Sequence, residues 1–357
     1  MKQIKEFKNH FILGLKVLFT NHIFQITTLT LSFILVSVVV YKALNLRNKV
    51  DKYEDIENQI EEKMETEIKI NYQEKNNTSQ LTGAAALSSC LKQPLTEEEI
   101  TDELLKMTKS LEDIFNSSNY NFAFKYKDIY TGFSISYNSS QPIFAASTIK
   151  APEAIYIYEQ AEKGTINLND TITYTSGYYS NGTGVLKNTK FGVDYTIRKL
   201  VSYSIIHSDN AAHLMLNNKY KSDNMYNYWT NLGTNTIFKS KGSWGNITAD
   251  DATIYMEELY KYYINNNQYS EELLNYFTKS WKVISTPNNN LKIASKSGWS
   301  KNSLHDTALI FDENPYTLVI LTNRGYVDYQ SFFNKVSTLI YNFHKEYWNE
   351  KTKLCNN

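Results

Sequence analysis

The sequence has few of the residues that build cross-linked or metal-bound domains. Its 357 residues include only two cysteines, Cys90 and Cys355, which are too few for a disulfide scaffold and lack the spacing of metal ligands. The six histidines show neither HxxxH nor HExxH spacing. We therefore predict that the protein binds no metal and no cofactor. The sequence leaves open whether the two cysteines pair with each other.

An excess of charge of either sign is also absent, because 37 Lys and Arg residues balance 37 Asp and Glu residues. Proteins that bind nucleic acid through its phosphates usually carry strong positive charge, so we predict no nucleic-acid partner. With 42% hydrophobic residues, a chain of this length has enough apolar side chains for one globular domain with a large core.

One long hydrophobic run lies near the N-terminus. Residues 23–44, IFQITTLTLSFILVSVVVYKAL, carry one charge, and about 20 apolar residues are needed to span a bilayer. No small-residue cleavage site follows directly, which favours an uncleaved transmembrane anchor over a signal peptide. Lysines flank the run on both sides, so charge alone does not orient it.

Residues 45–93 are predicted to form a charged stalk and linker. Their apolar residues at near-helical spacing fit a short amphipathic or coiled-coil helix as well as they fit a solvated linker. We place the start of the folded domain, 94–357, near Pro94. Thr96 and Glu99 form a capping-box pattern there, ahead of apolar residues at helical spacing.

The domain alternates between helical and strand patterns. NFAFKYKD and FSISYN, joined by IYTG, predict a hairpin, and LKIASKSG, TALIFD and TLVILTN predict three further strands. Helical patterns precede the hairpin, fill the interval between the two groups of strands, and end the chain at about 328–348. This order predicts an α/β domain in which an antiparallel sheet is flanked by N- and C-terminal helices and joined by an all-helical subdomain.

A lysine on a buried helix stripe is the first candidate for chemistry. In FAASTIKAPEAIYIYEQ, Lys150 falls on the apolar stripe one turn after Ser147, and Pro152 indicates that the helix starts nearby. Burial without a partner lowers the pKa of a lysine, so Lys150 is predicted to accept the proton of Ser147. The pattern S-x-x-K is weak by itself, and Ser89 with Lys92 repeats it in the linker.

Two further motifs follow in the chain. Ser208–Asp209–Asn210 interrupts two apolar helices, whereas a second SDN at 222–224 is predicted to be a helix cap. The motif KSG, Lys296 to Gly298, ends a predicted strand and occurs once.

With these three motifs in this order, the chain from about Thr96 to Trp348 resembles the penicillin-recognising serine enzymes. It is most similar to the class A β-lactamases and their DD-peptidase relatives. GTGVL at 182–186 and HDTALI after the third motif add to the resemblance. The resemblance implies a β-lactamase/transpeptidase-like fold and a serine hydrolase that is acylated at Ser147. Its ligand would be a small-molecule β-lactam or a D-Ala-D-Ala peptide.

The same chemistry assigns expected roles to the other motif residues. Ser208 is expected to relay the proton to the leaving nitrogen, while the strand backbone and the Ser147 amide form an oxyanion hole. The residues expected to bind substrate are Asn210, Lys296, Ser297, Gly298 and Trp299.

The chain departs from this family at one point. Class A β-lactamases carry a glutamate between the second and third motifs that positions the deacylating water, and no glutamate lies between Ala211 and Gly245. We expect slow or absent hydrolysis of the acyl-enzyme. Three hypotheses remain: a membrane-anchored serine hydrolase of β-lactams, a D-alanyl-D-alanine carboxypeptidase or penicillin-binding protein, and a non-hydrolytic penicillin-binding sensor.

The family also implies a location for the domain. Peptidoglycan and β-lactams lie outside the cytoplasmic membrane, so residues 1–22 are expected in the cytoplasm and the catalytic domain is expected outside, with a single pass through the cell membrane.

Overall fold

A six-stranded antiparallel sheet forms the centre of the fold in this computed structural model. The structure describes residues 68–71, 89–118, 121–239, 242–323 and 329–356. The described strands are β1 (Lys69–Asn71), β2 (Phe122–Asp128), β3 (Ser134–Tyr137), β4 (Ile143–Phe144), β5 (Thr171–Tyr174), β6 (Val193–Thr196), β7 (Asn246–Ile247), β8 (Lys292–Ser300), β9 (Ser303–Phe311) and β10 (Tyr316–Thr322). The order in the sheet is β1-β3-β2-β10-β9-β8, so β8 lies at one edge.

The described helices lie on both faces of this sheet. They are α1 (Asp102–Asn116), α2 (Lys150–Glu162), α3 (Ile197–Ile206), α4 (Asn210–Tyr220), α5 (Asp223–Asn231), α6 (Ala249–Ile264), α7 (Ser270–Lys279) and α8 (Tyr329–Asn356). Helices α1 and α8 pack together on one face, and α6 packs on the other face and carries α2 against it.

The side chains of strand β10 alternate between the two faces of the sheet, which explains why a hydrophobic core lies on each face. On β10, Leu318 and Ile320 belong to the core beneath α1 and α8, whereas Val319 and Leu321 belong to the core shared with α2 and α6. Successive side chains of a strand point to opposite faces, so an unbroken apolar run is buried on both sides. The run TLVILTN was predicted to be a strand, and the structure confirms that prediction.

The predicted hairpin is also confirmed, since β2 and β3 pair in antiparallel register. Its turn is fixed by Asp128, whose carboxylate accepts hydrogen bonds from the amide and hydroxyl of Thr131, both at 2.7 Å. Gly132 has φ of 75°, a left-handed conformation that favours glycine. The glycine in IYTG therefore serves the turn.

Two predicted boundaries differ from the structure. The capping box of Thr96 and Glu99 closes only a 3₁₀ turn, Glu97–Glu99, because Ile100 is extended. Helix α1 begins at Asp102, and the Thr101 hydroxyl caps it by accepting a hydrogen bond from the Leu104 amide at 3.4 Å. At the other end, α8 runs to Asn356, eight residues past the predicted end at Trp348.

The segment predicted to be stalk and linker contributes to the folded unit. Strand β1 pairs with β3 at the edge of the sheet, although its sequence KIN is too short to show alternation. Cys90 and Cys355 form a disulfide with their Cα atoms 5.7 Å apart, which answers the question that the sequence left open. The predicted cytoplasmic residues 1–22 and anchor 23–44 lie outside the described residues. Within the described ranges, no helix combines the length and apolarity needed to cross a membrane.

Candidate active site

Ser147 and Lys150 lie at the start of α2. Ser147 belongs to a 3₁₀ turn, Ala146–Ile149, that leads into the helix, and Ala146 has φ of 45°, a strained conformation for a residue other than glycine. Lys150 is fully buried, and its Nζ lies 3.0 Å from Ser147 Oγ. The spacing of three residues therefore brings the amine and the hydroxyl into contact.

The environment of Lys150 favours its neutral form. Burial holds the pKa of Lys150 well below its usual range, and the nearby Lys296 ammonium lowers it further. The carboxylates of Asp209 and Glu153 act in the opposite direction with smaller effect. A neutral lysine amine carries a lone pair, so it can take the proton of the Ser147 hydroxyl.

The motif residues after α3 hold the amine in place. Lys150 Nζ donates to the Ser208 carbonyl and to Asn210 Oδ1, both at 2.7 Å, and lies 3.3 Å from Ser208 Oγ. Ser208 has φ of 50°, so its backbone is in the left-handed region. Strained residues persist where the surrounding structure fixes them, and here the strain turns both the carbonyl and the hydroxyl of Ser208 toward the lysine.

Asp209 fixes this loop from the other side. One carboxylate oxygen caps α4 by accepting the Ala212 amide at 3.0 Å. The other oxygen accepts the amides of Val185 and Leu186 at 2.6 and 2.8 Å. The loop between α3 and α4 is thereby tied to the loop at 182–186.

A second buried amine approaches from the sheet edge. Lys296 on β8 donates to Ser208 Oγ at 3.1 Å and to the Ser297 carbonyl at 3.1 Å. Burial lowers the pKa of Lys296 to about 7, while the carboxylate of Asp306 opposes that shift. The Ser208 hydroxyl therefore lies between two amines, Lys150 and Lys296.

Glycine allows β8 to lie against the serine. A Cβ on Gly298 would lie 2.9 Å from the amide nitrogens of Ser147 and Thr148 and 3.0 Å from the Ala145 carbonyl oxygen. Real side chains do not tolerate such contacts with backbone, so only glycine permits this approach. The backbone of the KSG motif consequently passes next to the Ser147 amide.

A small open pocket of about 260 Å³ leads to Ser147. Of the eight predicted site residues, Ser147, Asn210 and Trp299 line this pocket, and Trp299 is half exposed. Lys150 and Lys296 are buried behind the wall. Ser297 is also buried, and its hydroxyl donates to the Trp281 carbonyl at 2.8 Å. The other lining residues are Phe144, Ala146, Gly182, Thr183 and Trp244.

Two of these lining residues contact the reactive groups, and the sequence did not single them out. The Thr183 hydroxyl donates to the Ser208 carbonyl at 2.7 Å. The ring of Trp244 lies over Lys150, with its centroid 5.3 Å from Nζ. Thr183 lies within the segment GTGVL that supports the family resemblance, whereas no spacing or composition signal marks Trp244.

Carboxylates are absent from the wall of this pocket as far as the described residues define it. The segment from α4 to β7 brings Trp244 to the wall instead. The fold and the site together define a serine enzyme in which an antiparallel sheet edge and a helical block enclose a Ser-x-x-Lys pair.

Comparison with known proteins gives the family. Residues 106–344 match the model of the Beta-lactamase enzyme family, and the chain belongs to that family. A search of curated proteins by sequence found no match.

Solved structures show the same fold at low sequence identity. A β-lactamase from Sphaerobacter thermophilus is 19% identical, with a TM-score of 0.55 over 70% of this chain and 96% of that chain. The structure of PBP-A is 17% identical, with a TM-score of 0.58 over 69% of this chain and 97% of that chain. An acyl-enzyme complex of a PBP-A mutant with penicillin G is 18% identical, with a TM-score of 0.59 over 71% and 98% of the two chains.

Proposed function

We propose that this protein is a serine hydrolase that is acylated by β-lactams at Ser147 and releases the acyl group slowly. The observation that carries the proposal is the convergence of Lys150 and Lys296 on the Ser208 hydroxyl, with Lys150 also in contact with Ser147. Membership of the Beta-lactamase enzyme family and the penicillin G acyl-enzyme of PBP-A support it.

The proposed reaction uses these contacts in sequence. Neutral Lys150 takes the proton of Ser147 as Oγ attacks the lactam carbonyl, and the amide of Ser147 faces the developing oxyanion. The lactam C–N bond then breaks, and the proton passes from Lys150 through Ser208 Oγ to the leaving nitrogen. The Lys296 ammonium attracts the substrate carboxylate.

Slow release follows from the chemistry of the pocket wall. Hydrolysis of the ester needs a base beside the attacking water, and the described wall offers aromatic rings and hydroxyls but no carboxylate. We therefore infer that acylation is faster than deacylation.

Intact-mass spectrometry of the full-length protein with benzylpenicillin tests this proposal. We expect a lasting adduct of one penicillin per chain that is absent in Ser147→Ala. Ser89→Ala removes the serine of the second S-x-x-K copy and is the matched control, which should still form the adduct. No adduct in the wild type, or an adduct that disappears within seconds as penicillin is consumed, contradicts the proposal.

A second candidate activity is D-alanyl-D-alanine carboxypeptidase. The same pocket presents Lys296 to a ligand carboxylate, a group that penicillins share with D-Ala-D-Ala peptides, and PBP-A has the same fold. Release of D-Ala from a pentapeptide, lost in Ser147→Ala, would support this activity. A penicillin adduct that never releases hydrolysed penicillin, together with no D-Ala release, favours a non-hydrolytic penicillin sensor.

We further propose that residues 23–44 anchor the protein in the cell membrane with the catalytic domain outside. The Cys90–Cys355 disulfide supports an extracytoplasmic domain, because disulfides persist in oxidising compartments and are rare in the cytosol. External protease added to intact cells should digest the domain, and full protection of the domain would contradict this orientation.

A further inference from the structure

A buried carboxylate and imidazole lie beneath the site and take no part in the proposed reaction. Glu153 follows Lys150 by one turn of α2, and His213 belongs to the first turn of α4. Both side chains are completely buried, with Nδ1 of His213 2.9 Å from Glu153 Oε2. The Asn217 amide donates to Glu153 Oε1 at 3.4 Å. Removing one partner would leave the other buried without its hydrogen bond, so each side chain depends on the other.

The partners of His213 determine where its hydrogens lie. Nε2 lies 3.1 Å from the Ser243 carbonyl, which can only accept a hydrogen bond, so Nε2 carries a hydrogen. Nδ1 faces the carboxyl group of Glu153 and is joined to it by a hydrogen bond. Both ring nitrogens are therefore engaged, and His213 has no free nitrogen with which to activate a water.

The pair connects directly to the pocket wall. Ser243, whose carbonyl His213 holds, is followed by Trp244, and the His213 and Trp244 rings lie 4.7 Å apart. The carbonyl of the next residue, Gly245, accepts the Ala145 amide at 2.8 Å. The backbone is thus fixed on both sides of Trp244, and its ring lies over Lys150 Nζ.

We propose that Glu153 and His213 are positioning residues that hold Trp244 over Lys150 and thereby keep water away from the amine that activates Ser147. This inference rests on the proposed function for its kinetic consequence, although the positioning of Trp244 can be measured without it.

Two substitutions of Glu153 separate positioning from charge. Glu153→Gln has nearly the same shape, and its amide can donate to Nδ1 while its oxygen accepts from Asn217, so both contacts persist. Glu153→Leu has similar volume and no polar atoms, so His213 loses its partner. Both variants remove the same ionisable carboxyl group, so their electrostatic effect on Lys150 is the same, and positioning therefore predicts that only the Leu variant is impaired.

The pH profile of acylation by benzylpenicillin gives the kinetic readout. The charged groups facing Lys150 are Lys296, Asp209 and Glu153. Loss of the Glu153 charge alone lowers the pKa of Lys150 and moves the rising limb of the profile to lower pH. Displacement of Trp244 admits water, raises that pKa, and moves the limb to higher pH. We expect Glu153→Leu to show the upward shift with about a tenfold or greater loss of rate at neutral pH, and Glu153→Gln to stay within about threefold.

Trp244→Ala tests the proposal even if Glu153→Leu does not fold. Trp244→Ala alone should move the rising limb of the pH profile to higher pH. Where the double variant folds, adding Glu153→Leu to Trp244→Ala should cause no further loss of acylation rate, since the effects of coupled residues are not additive. Asp128→Asn alters a buried carboxylate that accepts a hydrogen bond from Trp348 of α8, and is the control that should leave the profile unchanged. Equal behaviour of the Gln and Leu variants, or an unchanged limb in Trp244→Ala, overturns the proposal.

Fluorine NMR of fluorotryptophan-labelled protein provides a readout that does not require acylation. The resonance missing from Trp244→Phe identifies Trp244, and it should shift or broaden in Glu153→Leu but not in Glu153→Gln. If the wild type forms no penicillin adduct while this resonance responds as expected, the proposed function fails and the positioning of Trp244 stands. An unmoved resonance in Glu153→Leu overturns the positioning itself.

Discussion

Lys150 and Lys296 contact the same hydroxyl, that of Ser208, but their proposed roles require different protonation states. Burial lowers the pKa of both Lys150 and Lys296, and each lies within hydrogen-bond distance of Ser208 Oγ. Two ammonium groups so close together repel each other, and the charge on Lys296 is among the causes that depress the pKa of Lys150. The geometry therefore suits a neutral Lys150 that accepts a proton and a charged Lys296 that attracts an anion.

A neutral Lys150 and a charged Lys296 together predict a bell-shaped pH profile for acylation by benzylpenicillin. The rate should rise as Lys150 loses its proton, because only the neutral amine accepts the Ser147 proton. It should fall above about pH 7, because the pKa of Lys296 is about 7 and the neutral form no longer attracts the substrate carboxylate. Stopped-flow measurement of acylation from about pH 5 to about pH 10 checks both limbs.

Lys296→Arg tests the assignment of the falling limb. Arginine stays protonated throughout this range, so the variant should keep acylating at alkaline pH even if its maximum rate is lower. A profile of the wild type that only rises with pH, or an Arg variant that loses activity at the same pH as the wild type, would refute the role of Lys296.

At the scale of single residues, the sequence identified the candidate residues that belong to the three motifs S-x-x-K, SDN and KSG. Lys150 was identified because a lysine on an apolar stripe needs a reason to be buried, and its burial and contact with Ser147 follow that expectation. Trp244 and His213 could not be found in the same way. Their roles depend on contacts between loop, α2 and α4 that are remote in the sequence and leave no periodic pattern.

At the scale of elements, the close approach of β8 to the turn before α2 sets the geometry of the site. We predict that Gly298→Ala lowers the rate of acylation by about tenfold or more, because its Cβ would lie 2.9 Å from the Ser147 amide nitrogen and push the strand away. The rate constant for adduct formation with benzylpenicillin measures the effect.

Gly177→Ala is the matched control for this substitution. A Cβ at Gly177 would lie 3.7 Å from its nearest neighbour, the Thr175 hydroxyl, which is an ordinary contact. This variant should acylate at the wild-type rate. If Gly298→Ala also acylates at that rate, the approach of β8 is not what limits the site.

Strands with a strong alternating or apolar sequence pattern were predicted, whereas the two-residue strands were not. The strands of the hairpin and the apolar β10 follow from alternation and turn chemistry. The two-residue strands β4 and β7 have no pattern of their own, yet their pairing brings the segment that carries Trp244 next to the segment before Ser147. Tertiary contacts create such elements, so a local reading of the sequence misses them.

At the scale of the whole molecule, the disulfide joins residues 265 positions apart. Cys355 lies near the end of α8, which packs with α1 in the core on one face of the sheet. Ala145 and Ile149, which flank Ser147, belong to the core on the other face. The bridge therefore joins the segment before α1 to the end of α8 without contributing to the site, so its loss should lower stability without lowering the rate of acylation.

We predict that Cys90→Ser/Cys355→Ser lowers the free energy of unfolding by roughly 2–5 kcal/mol, since cross-linking a long loop chiefly restricts the unfolded chain. For a domain of this size, the melting temperature should fall by about 2–4 °C per kcal/mol, and dithiothreitol should shift the wild type to the same value. Acylation by benzylpenicillin well below the melting temperature should be unchanged, because Ser147 and Lys150 keep their contacts. A double variant that melts like the oxidised wild type would show that the bridge adds no stability, whereas one that remains folded but no longer acylates would show that the two faces of the sheet are coupled.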